Sequence, residues 1–221
     1  MTARRLAIVG LGRMGSAVGA LARDGGWTVA AEITRLERAE QLAGADVAIE
    51  FTTPSAAVSN IGICLDAGCP VVVGSTGWYD QLPAVCANVV ERGGAMLWAA
   101  NFSIGANVLA MLAASARRAL PLAPFPAAIV ETHHAAKRDA PSGTALTIAK
   151  GLEPGAPITS LRVGHVPGTH EVVFDGAFEQ IRLEHVVRDR RVFAEGALMA
   201  AGWLIGRTGV FTMQDVLEGS S

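Results

Sequence analysis

Over the first half of the chain, short unbroken apolar runs alternate with stretches whose apolar residues recur every three or four positions. The runs are Leu6 to Val9, Thr28 to Ile33, Asp46 to Phe51, Pro70 to Val73 and Ala95 to Ala100. A brief apolar run bounded by turn residues reads as a strand covered on both faces, and the three-four recurrence reads as a helix with one apolar side. Helices are predicted after the first run (Met14, Ala17, Val18, Leu21), after the third (Ala57, Val58, Ile61, Cys64, Leu65) and from about Asp80 to Arg92. Such alternation predicts a parallel sheet with helices on both sides.

From Ile104 the pattern changes. A long helix to about Leu120 is followed by a break at Pro121, Pro124 and Pro126, and then by the apolar run Ala127 to Val130. A polar stretch, Glu131 to Ala145, leads into a helix continuing to Leu152, with Asp139 as candidate cap and Pro141 at the first turn. Strand-like runs at Ile158 to His165, His170 to Phe174 and Phe178 to Val187 are joined by glycine and proline turns without helices, which predicts an antiparallel sheet. Arg190 to Ile205 reads as a helix, and the closing Val210 to Leu217 is too short for a domain and returns to the first. The fold class is therefore α/β: a Rossmann-type parallel-sheet domain (1–103 plus 207–221) and an α+β domain (104–206) with an open, mostly antiparallel sheet.

Two places carry candidate chemistry. Gly10-Leu11-Gly12-Arg13-Met14-Gly15 stands between a strand and a helix. There Gly10 makes the tight turn, Gly12 lets a pyrophosphate approach the backbone, and Gly15 lets helix pack on sheet, with the helix amino terminus facing the phosphates. Glu32 follows at about the distance expected of a carboxylate that accepts from the adenosine ribose, which favours NADH over NADPH. Arg35 and Arg38 come close behind and could neutralise a 2′-phosphate, so dual use stays open. Gly74-Ser75-Thr76-Gly77, at a strand's carboxyl end, reads as lining the nicotinamide. The other place is Glu131-Thr-His-His-Ala-Ala-Lys-Arg-Asp-Ala-Pro-Ser-Gly-Thr-Ala145, which crowds two imidazoles, two cations and two carboxylates at the end of a strand.

Composition narrows the partners. Eighteen basic against 20 acidic residues leave a net charge of −2, which gives no basic surface for nucleic acid or lipid and leaves a small molecule as the partner. Lysine occurs only at Lys137 and Lys150, so one of the two falls inside the polar stretch. No apolar window reaches membrane-spanning length, and Met1 to Arg5 has no signal-peptide pattern. Cys64, Cys69 and Cys86 lack metal spacing and read as buried apolar residues, which suits a reducing cytoplasm. His165, His170 and His185 read as surface or interface residues and the four tryptophans as core or interface; no metal site is expected.

Taken together, these residues resemble the dihydrodipicolinate (4-hydroxy-tetrahydrodipicolinate) reductases of bacterial and plant lysine synthesis. The resemblance rests on the glycine fingerprint, Gly74-Ser75-Thr76-Gly77, Ala100-Asn101-Phe102-Ser103, the Glu131 to Ala145 signature, Arg162-x-Gly164, Pro167-Gly168, and Phe193 to Ala197 with Trp203 to Gly206. It implies hydride transfer from NADH or NADPH to a cyclic unsaturated dicarboxylate, giving tetrahydrodipicolinate for lysine and diaminopimelate. It implies cofactor contacts at Gly10, Gly12, Arg13, Met14, Gly15, Glu32, Phe51, Gly74, Thr76, Asn101 and Phe102. His133 and Lys137 are its acid candidates, with His134, Lys137, Gly143 and Thr144 holding the carboxylates. The second domain then binds substrate and builds a homotetramer, although the stretch between Leu152 and Leu161 is compressed relative to the family. A reductase of the aspartate or homoserine dehydrogenase type explains the nucleotide half but leaves His133, His134 and Lys137 without a role. A nucleotide sensor without turnover is the remaining class.

Overall fold

The computed structural model describes residues 3–120 and 125–219. Pro121 and Pro124 of the expected break lie outside the described residues. In chain order the elements are β1 (Arg5–Val9), α1 (Arg13–Asp24), β2 (Thr28–Ile33), β3 (Val47–Glu50), α2 (Pro54–Asp66), β4 (Val71–Val73), α3 (Leu82–Glu91) and β5 (Ala95–Trp98). There follow α4 (Ile104–Ala119), β6 (Ala127–His133), α5 (Gly143–Ala149), β7 (Ile158–Arg162), β8 (Thr169–Asp175), β9 (Gln180–Val186), α6 (Arg191–Leu204), β10 (Gly209–Phe211) and α7 (Met213–Glu218). They divide into two compact units, Met1–Phe102 with Arg191–Ser221, and Ser103–Arg190.

The first unit holds a six-stranded sheet in the order β10-β5-β4-β3-β1-β2, every pair parallel. Alternate residues of one strand feed two different cores. Leu6 and Ile8 pack with α1 and α6, whereas Ala7 and Val9 pack with α2 and α3. Each fully buried leucine or isoleucine contributes about 1.5–3 kcal/mol, which is why a strand covered on both faces reads as an unbroken apolar run. The chain order reverses between β1 and β3, and Gly10 and Phe51 follow the carboxyl ends of those two strands. That is the switch point at which open parallel sheets bind their ligands.

The sequence pattern places the helix labelled α6 in the second domain, whereas the structure places it in the first unit. Ala194, Ala197, Ala201 and Leu204 are fully buried in the same core as Leu6 and Ile8. Its small residues permit close approach: a Cβ at Gly196 would stand 1.8 Å from the Phe102 carbonyl oxygen. Alanine and glycine spacing cannot say which sheet a helix covers, so the assignment went to the nearer strands in sequence.

The second unit is a four-stranded sheet ordered β7-β6-β8-β9. β6 pairs antiparallel with β8, and β8 with β9, but β7 runs parallel to β6. Helices α4 and α5 cover one face, with Leu109 and Ile148 in one core with Ile129, Val172 and Phe174. Ser142, not Asp139, caps α5, its hydroxyl accepting from the Ala145 N–H at 3.2 Å.

Candidate functional site

In the first unit the glycines meet distinct geometric demands. Gly10 has φ +92° and its N–H donates to the Ile33 carbonyl at 2.8 Å. A side chain there would meet the Phe51 carbonyl oxygen at 2.2 Å, and one at Gly15 would stand 1.8 Å from the Gly10 oxygen. Gly12 caps α1 without a side-chain bond and has nothing within 4 Å of its missing Cβ. The outer two glycines are thus required by packing, and the middle one leaves an opening at a helix amino terminus. An anion such as a pyrophosphate fits there, against backbone N–H groups and the positive end of the helix dipole. Arg13 and Met14 begin that helix.

Phe51, Gly74 and Phe102 come together beside this opening. The Phe51 ring occupies the place a Gly74 side chain would take, with its Cε1 2.0 Å from the ideal Cβ, and it meets the Phe102 ring edge-on at 5.8 Å. A polar hub the sequence reading missed holds the loops there. Glu50 is fully buried, and its Oε1 accepts from the Thr52 N–H at 3.0 Å, from the Thr52 hydroxyl, from Ser75 Oγ at 3.0 Å and from Asn60 Nδ2 at 3.3 Å. Thr76 follows, exposed, and Asn101 is half-buried.

Glu32 is not brought to this place. It lies opposite Ile8, one residue short of the end of β2, and its carboxylate pairs with Arg23 at 2.7 Å beside Gly19. Gly19 is about 10 Å along α1 from Gly12 at the usual helical rise. Thr34 and Arg35 follow β2 instead, with Arg35 largely exposed and its Nε 3.3 Å from Glu37. Counting residues from the glycines located the strand but not its end.

In the second unit, β6 buries every other residue, and Glu131 and His133 both point inward. Glu131 is fully buried and saturated. Its Oε1 accepts from Arg162 Nη2 at 2.7 Å and from the Ser142 N–H at 3.2 Å, and its Oε2 accepts from Arg162 Nη1 at 3.0 Å and pairs with His133 Nδ1. Burial opposes the charge of Glu131, but hydrogen bonds from Arg162, Ser160 and His133 together outweigh it and hold the carboxyl down at about 2. Burial lowers the basicity of His133, and the Glu131 carboxylate works against that.

His170 corrects an expectation, since it is buried, not on the surface. It stands directly opposite Glu131 across β6 and β8, and opposite His185 across β8 and β9. Its Nε2 is 3.1 Å from Ser142 Oγ and its ring meets the His133 ring at 5.2 Å. Burial brings it down to about 4, so it is neutral at physiological pH. Ser160, Glu131, His170 and His185 thus form a polar row across all four strands at the end of the apolar core. Donor atoms of Glu131, His133 and His170 lie within 4.8 Å of one another, a spacing a metal could use. The Arg162 guanidinium already occupies both oxygens of that carboxylate, however, and supplies the cation.

The exposed side of the site follows β6. Lys137 Nζ contacts both oxygens of Asp139 at 2.8 Å, and this bond depresses the Asp139 carboxyl. A cleft of about 350 Å³ is lined by His134, Ala135, Ala136, Gly164, His165, Pro167 and Arg190. His165 and Arg190 were not singled out from sequence, because nothing in their spacing ties them to His134. Gly143 and Thr144 open α5 immediately after the buried Ser142.

Comparison with known proteins agrees with both halves. Residues 4–102 match the model for the dihydrodipicolinate reductase amino terminus, and residues 105–217 match that for its carboxyl terminus. The 4-hydroxy-tetrahydrodipicolinate reductase of Christiangramia forsetii is 33% identical over 96% of this chain and 97% of its own. That of Rhodopseudomonas palustris strain BisB5 is 37% identical over 79% of this chain and 73% of its own. Among solved structures, a dipicolinate-bound dihydrodipicolinate reductase from Paenisporosarcina sp. TG-14 superposes with a TM-score of 0.78 over 96% of this chain and 98% of that one, at 22% identity.

Proposed function

The chain belongs to the dihydrodipicolinate reductase family, and we propose that it reduces the cyclic dicarboxylate 4-hydroxy-tetrahydrodipicolinate, or its dehydrated form, to tetrahydrodipicolinate in the cytoplasm, for lysine and diaminopimelate synthesis. The observation that carries this reading is the set of cations and imidazoles in the second unit: a cleft lined by His134, His165 and Arg190, with His133 next to His134 in the chain and the Lys137 N–H bonded to the His134 carbonyl. A ring with two carboxylates needs cationic and N–H donors for both, and a proton donor for the charge that hydride addition leaves on the conjugated imine.

When bound, the reduced nicotinamide supplies the hydride. Gly12 and the start of α1 would hold the pyrophosphate, and Phe51, Gly74, Thr76, Asn101 and Phe102 would line the nicotinamide end. His133 donates the proton, Lys137 compensates the developing negative charge, and His134, His165, Arg190 and the backbone at Gly143 and Thr144 hold the carboxylates. The 4-hydroxy form first loses one water to give the conjugated imine, and that imine then takes up one hydride and one proton per turnover.

Glu32, paired with Arg23 alongside α1, no longer supports a preference for NADH. An exposed Arg35 just beyond β2 suits a 2′-phosphate, so both cofactors are expected to work, NADPH at least as well as NADH. The test is substrate-dependent oxidation of each cofactor, with the substrate generated in place from pyruvate and aspartate semialdehyde by a synthase. No oxidation of either by folded protein that binds a dinucleotide would defeat the proposal, and a strong preference for NADH would defeat the Arg35 argument.

Association as a homotetramer is part of this reading. The face of the second sheet opposite α4 and α5 carries Val130, Leu161, Val173 and Val186, with Leu161 and Val186 exposed. These apolar residues share the face with the Arg182–Glu171 ion pair and Glu184, and such a mixed face with exposed apolar residues suits self-association. Light scattering coupled to size exclusion should give four chains, and a monomer at micromolar concentration would exclude it.

A further inference from the structure

We propose that Glu131 is a positioning residue for the proton transfer: it holds His133 through Nδ1, so that Nε2 is the nitrogen offered to the substrate, and its charge sustains the imidazolium. This inference rests on the reductase reading above. It comes from one carboxylate serving four neighbours at once, Ser160 on β7 among them. Glu131 bonds the His133 ring, the Ser142 backbone N–H and both terminal nitrogens of Arg162. These last three stand on different segments, at the end of β6, before α5 and at the end of β7. A carboxylate that is fully buried and bonded on both oxygens has a fixed orientation, and it fixes the imidazole it faces. The other edge of that ring is accommodated by a glycine. A Cβ at Gly168, which has φ +154°, would come within 3.1 Å of His133 Nε2, and the preceding Pro167 lines the cleft.

The charges around His133 make Glu131 decisive. Arg162 on β7 and Lys137 on the loop after β6 are cations that disfavour a second proton on the ring, and Lys137 is itself paired with Asp139. His170 on β8 is neutral and adds none. Burial also disfavours the imidazolium, and the Glu131 carboxylate opposes all three effects. Arg162 therefore has a double role: it keeps Glu131 ionised and limits how far that anion can raise the basicity of His133.

Glu131→Gln keeps the size and removes the charge. Its kcat at neutral pH is expected to fall at least about tenfold, and the alkaline limb of kcat against pH is expected to move down by about one unit. The dinucleotide Kd, read by NADH fluorescence, should change by less than about twofold, because the dinucleotide cradle lies in the other unit. Glu131→Asp restores the charge and should return the limb to its original position even with a lower plateau. In a His133→Gln background, Glu131→Gln should cost less than about a further twofold, since the group it positions is gone.

NMR of the histidine ring nitrogens in labelled parent protein supplies a check that needs no Glu131 variant. The signal lost in His133→Gln should report the Nδ1–H tautomer above the titration of the ring. An Nε2–H tautomer, an unmoved alkaline limb in a folded Glu131→Gln protein, or additive losses in the double variant would each overturn the role of Glu131 while leaving the reductase reading intact. Failure of the parent to turn over would overturn that reading instead.

Discussion

Lys137→Ala is expected to lower kcat by at least about a hundredfold, the scale of a lost acid or charge-stabilising group. NADH binding should stay within about twofold, since the nucleotide glycines lie in the other unit. Lys137 is held by Asp139 through two bonds of 2.8 Å, on a loop that begins with the Lys137 N–H donating to the His134 carbonyl at 3.1 Å. That loop sets Lys137 three residues after the cleft-lining His134, and its ammonium, held by Asp139 and only partly buried, is available to an anionic substrate. Little fold stability rides on the pair, because exposed ion pairs contribute about 0–1 kcal/mol. A large loss of turnover would thus reflect lost chemistry and not unfolding. Steady-state rates with both cofactors, a fluorescence titration with NADH and a thermal melt decide the matter. Activity within a few-fold of the parent would remove Lys137 from the site.

The parallel-sheet half was legible because both faces of its inner strands β1, β3, β4 and β5 are buried, which writes the strand as an apolar run and leaves glycine to punctuate it. The polar signature was legible for a related reason: so many ionisable groups beside a strand have few structural uses. What escaped notice was direction. Glu131 and His133 continue the inward alternation of Ala127 and Ile129, and His170 continues that of Val172 and Phe174. The period of two was present in the sequence, but a histidine or glutamate on an inward position reads as polar unless the partner strand is known. The pairing of His170 with Glu131 depends on register across β6 and β8, which are separated in the chain by α5 and β7. Glu32 failed in the opposite way. The spacing rule located an acid on β2, and only the register with β1 shows that its side chain runs along α1 towards Arg23. Both errors concern how strands align, and a single sequence leaves that alignment unspecified.

The buried row also makes the fold sensitive to acid, and the direction follows from which form each group takes when folded. His170 titrates near 6.5 in an unfolded chain and is brought down to about 4 by burial. The unfolded state therefore takes up a proton that the folded state refuses. The stability that neutral His170 confers is present above about pH 6.5 and is lost as pH falls towards 4. Glu131 behaves in the same sense at lower pH: with a folded value of about 2 against an ordinary 4.5, its contribution is lost as pH falls from about 4.5 towards 2. At about 1.4 kcal/mol per unit, each shift is worth at most about 3.5 kcal/mol, a large share of a typical folding stability of about 5–15 kcal/mol. Denaturant unfolding between pH 7.5 and pH 4 should lose about 2–3 kcal/mol for the parent chain. His170→Gln, which keeps an amide near Ser142 and cannot take a proton, should start lower at pH 7.5 and fall much less steeply. His133 and His185 are lowered by burial as well and leave that variant with a residual slope in the same direction. Parallel curves for parent and variant would show that His170 is already accessible to protons in the folded state, and the buried row could not then be the origin of the acid sensitivity.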